Sequence, residues 1–182
     1  MLHDQPSETD TPLTRGYYGV AVWHPKHEVN VGTLWRSAFT YDAAMVATVG
    51  TRYNRQASDT CKTYNSIPLH HFSDLDDLVA HLPHGCPLIG VELDDRAEPL
   101  DSFRHPDRAL YLLGAEDHGL PDVVLDRCHN VIQIPTPQVW SLNVAIAGSL
   151  VMHDRFRKSR AHVVTQSDIR AVVDSLPTMK AS

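Results

Sequence analysis

Only three of the 182 residues are cysteines, and Cys61, Cys86 and Cys128 form no C-x-x-C pair. Neither a disulfide framework nor a thiolate zinc site is therefore written into the chain. No stretch approaches the roughly 18 uncharged apolar residues of a membrane span. The opening MLHDQPSETDTPLTRG lacks the basic start and apolar centre of a secretory leader. The expectation is a cytoplasmic protein with reduced thiols and no membrane contact. Positive charge is scarce too: 16 Lys and Arg against 22 Asp and Glu leave a net charge of -6. A polyphosphate partner could be held only by a local basic patch. No G-x-G-x-x-G follows the first apolar run and no P-loop lysine occurs, so a conventional nucleotide-binding module or oxidoreductase lacks its phosphate cradle. Twelve histidines are present, among them His24, His27, His70, His71 and His118, yet none joins a carboxylate in a metal-binding pattern. No metal is expected.

What is present suits one globular domain. Hydrophobic residues make up 42% of the chain and charged residues 21%, enough for a single well-buried core. Residues 1–14 read as a polar tail, 15–162 as the folded domain, and 163–182 as a tail or a short helix capped by Ser167. Strands are expected at YYGVAVW, AAMVATVG, PLIGVEL, ALYLLG and NVIQIP, each a short β-branched or aromatic run. Helical spacing marks VGTLWRSAFTYDA, SDLDDLVAHL with Ser73 as its cap, DVVLDRC, and Leu142 to about Arg160. Strands alternating with helices imply an α/β fold, a mostly parallel sheet covered on both faces.

Ligands of such sheets bind beyond the carboxyl ends of the strands, and three loops there are rich in small or polar residues. In NVGTLWRSA, Asn30 can cap a helix, Gly32 permits close backbone approach, and Arg36 projects about a turn and a half later. In LLGAEDHGLP, Gly114 and Gly119 bracket the carboxylate of Glu116. In IPTPQVWSLNVAIAG, Ser141 and Asn143 stand at the head of an apolar helix, which should be buried; polar groups placed there need a partner from the protein or from a ligand.

Together and in this order, these loops resemble the three motifs of the SpoU (TrmH) branch of the SPOUT methyltransferases. NVGTLWRSA is similar to N-x-G-x-x-x-R-x-A, and LLGAEDHGL contains G-x-E-x-x-G-L. IPTPQVWSLNVAIAGSLVMHD pairs I-P with S-L-N-V and an apolar helix ending in an acid, Asp154. The third motif departs from the pattern: Thr136 and Pro137 follow Ile134-Pro135, a glycine is missing, and the loop is one residue short.

The resemblance implies a carboxyl-terminal deep trefoil knot, a homodimer whose site is completed across the interface, and S-adenosylmethionine as cofactor. It implies methyl transfer to a ribose 2′-hydroxyl of RNA, with tRNA favoured and rRNA as the alternative; a non-catalytic RNA-binding relative stays open. It also assigns roles. Arg36, Asn30, Glu116, Ser141 and Asn143 would be catalytic, with Glu116 holding the Arg36 guanidinium in a two-pronged grip. Gly114, Glu116, Gly119, Ile134, Leu142 and Asn143 would contact the cofactor. Arg36 would meet RNA; apart from the resemblance, the basic runs TRYNRQASDTCKTY and HDRFRKSRAH offer Arg52, Arg55 and Arg155 as further RNA contacts. Because a guanidinium keeps its charge above pH ~12 and has no acceptor, Arg36 is expected to act as an electrostatic clamp rather than a base.

Overall fold

The computed structural model describes residues 16–53, 66–138 and 140–159. Among these residues, seven strands form one sheet: β1 (Tyr18–Trp23), β2 (Met45–Val49), β3 (Leu69–Phe72), β4 (Leu88–Val91), β5 (Glu98–Pro99), β6 (Ala109–Leu113) and β7 (Asn130–Gln133). Their spatial order is β3-β2-β1-β6-β4-β7-β5, and every pairing is parallel. Among the described residues, four helices accompany them: α1 (Glu28–Thr40), α2 (Leu75–Ala80), α3 (Asp122–Leu125) and α4 (Val144–Lys158).

Side chains alternate across a strand, so both faces of the sheet need cover. Val20, Val22, Ile89, Val91, Tyr111 and Leu113 point to one face and pack with Leu34, Trp35 and Ala38 of α1 and Val144, Val151 and Met152 of α4. Ala21, Leu88, Leu110 and Leu112 point to the other, against Leu75 and Leu78 of α2 and Val124 and Leu125 of α3. In α1 the buried residues Val31, Leu34, Trp35 and Ala38 follow the i, i+3, i+4, i+7 stripe of an amphipathic helix.

Register sets the position of the site. Val22 lies opposite Leu113, Leu113 opposite Val91, and Val91 opposite Ile132. Four strands thus end level, and the loops after β1, β4, β6 and β7 share one rim of the sheet.

Several local expectations need correction. β3 and β5 are additional strands; β3 is only partly buried and β5 is exposed, so neither carries a strong apolar signal. Helix α1 begins at Glu28, which puts Asn30 inside its first turn and gives His27 the capping position. Asp74 caps α2, accepting from the Asp77 backbone N–H, while the Ser73 N–H itself donates to Asp77. Helix α4 starts at Val144 and is capped by Asn143, not Ser141. It is also less buried than its apolar sequence implies: Ile146 is 53% and Leu150 40% exposed. The proposed tails and the Ser167 helix lie outside the described residues, and no helix among the described residues is long and apolar enough to cross a membrane.

Candidate functional site

A cleft of about 280 Å³ opens at the rim where β4, β6 and β7 end. Its apolar walls come from Val91, Leu93, Leu113, Ile134, Leu142, Val144 and Ala147, and its polar rim from Glu92, Gly114–Gly119, Thr136 and Ser141. Trp140 lies on the edge with 79% of its surface exposed.

The loop after β6 closes on itself, because Ala115 and Gly119 exchange both backbone hydrogen bonds at 3.0 and 3.1 Å. Gly119 has φ +62°, a conformation that residues with a Cβ rarely adopt. A Cβ on either Gly114 or Gly119 would also come within 2.5 Å of the Glu92 carboxylate. Both glycines of the second motif are thus fitted around an acid that the motif does not contain. Glu92 accepts from the Leu120 backbone N–H at 2.7 Å and from its neighbour Leu93 at 3.0 Å.

Glu116 leaves this loop toward α1. It accepts the Lys26 N–H at 2.9 Å, the His27 N–H at 3.3 Å and the Asn30 side-chain amide at 3.0 Å. His27 offers no side-chain cap, so the carboxylate takes over part of that work and sits where the helix dipole favours a negative charge. Burial pushes the Glu116 carboxyl up, but the hydrogen bonds from Asn30 and the two backbone amides outweigh it and hold the group below its usual range. Beside it, Asp117 pairs with Lys26 and with His118. Hydrogen bonding by Lys26 lowers the Asp117 carboxyl, with burial opposing.

Asn30 joins two motifs to the third. Its Nδ2 donates to Glu116, and its Oδ1 accepts from Asn143 Nδ2 at 3.0 Å. Asn143 in turn uses its own Oδ1 to accept from Ala145 and Ile146, capping α4. One hydrogen-bonded chain, Glu116–Asn30–Asn143, therefore ties the loop after β6, the start of α1 and the start of α4 into a single unit.

Of the sequence-derived candidates, Gly114, Glu116, Gly119, Ile134, Ser141 and Leu142 line the cleft. Asn30 and Asn143 flank it through the chain just described. Ser141 and Asn143 are solvent-exposed, so the expected burial of the helix head is not observed. Arg36 does not meet Glu116, whose acceptors are taken by the amino end of α1. It stands six residues beyond Asn30, about 9 Å along the helix axis, exposed and with no side-chain hydrogen bond or ion pair among the described residues. Arg52 is exposed, and Arg55 lies outside the described residues.

Arg155 requires a full correction. Only 6% exposed, it donates to the carbonyls of Pro106 at 2.6 Å and Asp107 at 2.8 Å and to the Tyr111 hydroxyl at 3.2 Å, and lies 4.8 Å from the Tyr18 ring centre. A guanidinium spent in this way cannot reach RNA. Sequence reasoning counted it in a basic run, whereas its i+4 spacing from Val151 puts it on the buried stripe of α4. Glu92 and Trp140 were not singled out from sequence. The signal for Glu92 was an acid closing an otherwise apolar strand. No group of three His, Cys, Asp or Glu among the described residues could hold a metal ion.

Comparison with known proteins points one way. The model of the SpoU rRNA Methylase family matches residues 18–153. A 23S rRNA (guanosine-2′-O-)-methyltransferase, RlmB of Acinetobacter baylyi, is 28% identical over 72 residues, 39% of this chain and 29% of that protein. The chain spans well under half the length of the curated relatives it matches. Among solved structures, an AdoMet-bound rRNA methyltransferase from Sinorhizobium meliloti superposes with a TM-score of 0.71 at 21% identity, covering 83% of this chain and 58% of that one. A structure described as giving insights into the 2-OH methylation of C/U34 on tRNA also gives 0.71 at 21% identity, covering 81% of this chain and 99% of that one. These likenesses show the shared fold.

Proposed function

We propose, proceeding from the fact that the chain belongs to the SpoU rRNA Methylase family, that it is an S-adenosylmethionine-dependent RNA 2′-O-ribose methyltransferase. The observation that carries this reading is the Glu116–Asn30–Asn143 chain, which joins all three motifs beside one cleft. The cleft suits the cofactor chemically. Val91, Leu113, Ile134 and Leu142 offer apolar surface to an adenine, the Gly114–Gly119 loop offers backbone groups, and the acids of the rim suit a cation. When bound, S-adenosylmethionine supplies a methyl group activated by a sulfonium.

The protein's contribution is position and charge. Asn143 and Ser141 hold the target ribose at the mouth of the cleft, and the Glu116–Asn30 pair keeps Asn143 oriented. Arg36 clamps the ribose or its phosphate and favours the alkoxide electrostatically, while the proton leaves to phosphate or water. Since Arg36 is not among the residues lining its own cleft, it serves the partner's site in a homodimer, assembled through exposed faces of α1 and α4 that include Val29, Phe39, Ile146 and Leu150. The exposed Arg52, together with Arg55, extends the RNA contact.

The domain runs over residues 15–162, flanked by the tails 1–14 and 163–182. Its carboxyl-terminal half is threaded into a deep trefoil knot, and the protein works in the cytoplasm. The substrate is tRNA. This choice is supported by overlap with nearly all of the structure concerned with tRNA position 34, while the match to a 23S rRNA enzyme keeps rRNA as the second reading.

The test is transfer from labelled S-adenosylmethionine to total RNA lacking its normal modifications, followed by mapping of nucleotides resistant to alkaline cleavage. One labelled tRNA position is expected; label in rRNA alone would transfer the assignment to the second reading. Arg36→Ala should lower kcat by ~100-fold or more with little change in cofactor affinity, and near-normal turnover by that variant would remove Arg36 from the mechanism.

A further inference from the structure

Transfer of a methyl group from a sulfonium breaks a carbon–sulfur bond and leaves its electron pair on sulfur. The new bond forms to the ribose oxygen, whose proton departs to phosphate or water. Sulfur therefore enters the reaction cationic and leaves it neutral, and a cleft that responds to this difference can hold the donor yet release the product.

The charges lining the cleft are one-sided. Among the described residues, Glu92, Glu116 and Asp117 line it with His118, and no Lys or Arg does. Two of the acids are already matched. Asp117 has Lys26 and His118, and Glu116 has the amino end of α1 with Asn30. Glu92 is held only by the uncharged N–H groups of Leu93 and Leu120, and no Lys, Arg or His pairs with it among the described residues. Each carboxylate oxygen keeps spare acceptor capacity. The surrounding chain is fitted to this group, since Gly114 and Gly119 both leave room for its oxygens that a Cβ would take. In so small a cleft, a bound cation lies within one screening length of about 10 Å, and the low-dielectric walls strengthen the attraction.

We infer that Glu92 is a specificity-determining residue, whose uncompensated carboxylate makes the cleft favour the cationic methyl donor over its neutral thioether product. The inference rests on the methyltransferase reading given above. Glu92 also fixes the loop after β6 through the Leu120 N–H, so its substitution must be read against a ligand lacking the charge.

The experiment is calorimetric titration of wild-type protein and Glu92→Gln with three probes: S-adenosylmethionine, S-adenosylhomocysteine, and sinefungin, which carries an amine in place of the sulfonium. In Glu92→Gln, the two cationic ligands should weaken about tenfold more than S-adenosylhomocysteine, and Glu92→Asp should preserve the wild-type ratio even if all three bind less tightly. Equal weakening of all three by Glu92→Gln would reduce Glu92 to a structural brace and overturn the inference, as would unchanged affinities. Failure of wild-type protein to bind any of the three would instead overturn the cofactor reading beneath it. Should Glu92→Gln not fold, Glu92→Asp against Glu92→Asn makes the same comparison of charge at constant length.

Discussion

The amide of Asn143 divides its two ends between stability and the site. Oδ1 caps α4 by accepting from Ala145 and Ile146, while Nδ2 reaches across to Asn30. These roles can be separated by chemistry. Asn143→Asp keeps the capping oxygen and adds a charge that the helix dipole favours, but has nothing to donate to Asn30. Asn143→Ala loses both. Urea unfolding should place the Asp variant within ~0.5 kcal/mol of wild type and the Ala variant ~1 kcal/mol below it, while methyl transfer falls strongly in both. Retained transfer in the Asp variant would show that the bridge to Asn30 is dispensable. At this scale, the residue types of the site were legible in the sequence and their partners were not. Asn30, Glu116 and Asn143 were marked by spacing, yet the carboxylate expected on Arg36 faces Asn30 and the backbone before α1. Partner choice depends on which loops the register brings level, and no local pattern encodes that.

Helix α4 is fixed at its far end by a polar network unlike the apolar packing of its front. Lys158 and the His105 Nε2 both meet Asp154, at 2.6 and 2.9 Å; the His105 Nδ1 lies 2.6 Å from the Tyr111 hydroxyl, which also accepts from Arg155. A neutral His105 satisfies every group, donating from Nε2 to Asp154 and accepting at Nδ1 from Tyr111. Burial lowers the His105 pKa, outweighing the opposing hydrogen bond and charge of Asp154. The sign follows from linkage: a depressed folded-state value makes the neutral ring's stabilisation complete above the unfolded value near 6.5 and lost as pH falls through the folded one. Urea titrations between pH 7 and 5 should show stability declining with acidification, with a shallower slope in His105→Gln, which retains a donor and an acceptor. An identical slope would assign the decline to other groups. Arg155→Ala, which leaves buried carbonyls and the Tyr111 hydroxyl short of a donor and opens a cavity, should cost about 3 kcal/mol. Elements with strong apolar runs, such as β1, β4 and β6, were legible from the sequence. The edge strands β3 and β5 were not, because Leu69–Phe72 carries two histidines and Glu98–Pro99 is only two exposed residues, leaving little periodicity to read.

For the whole molecule, the position of Arg36 poses the sharpest question. It lies on an exposed face of α1 and is not among the residues that line the cleft with Ser141 and Glu116, so the proposed mechanism, which needs both, assigns it to the cleft of a second copy. Mixing lesions tests this directly. Arg36→Ala and Asn143→Ala homodimers are each expected to be inactive, and random exchange of their subunits makes about half of the dimers mixed. If Arg36 acts on the partner's cleft, each mixed dimer has one site carrying both lesions and one carrying neither, so about a quarter of wild-type activity should return. If Arg36 serves its own cleft, every site keeps one lesion and nothing returns. Subunit exchange can be followed separately by mass-tagging one variant, so that an absence of recovery is read only where mixed dimers have formed. Recovery would also explain why an arginine that the motif spacing identifies so readily stands apart, within its own chain, from the residues with which it was expected to act.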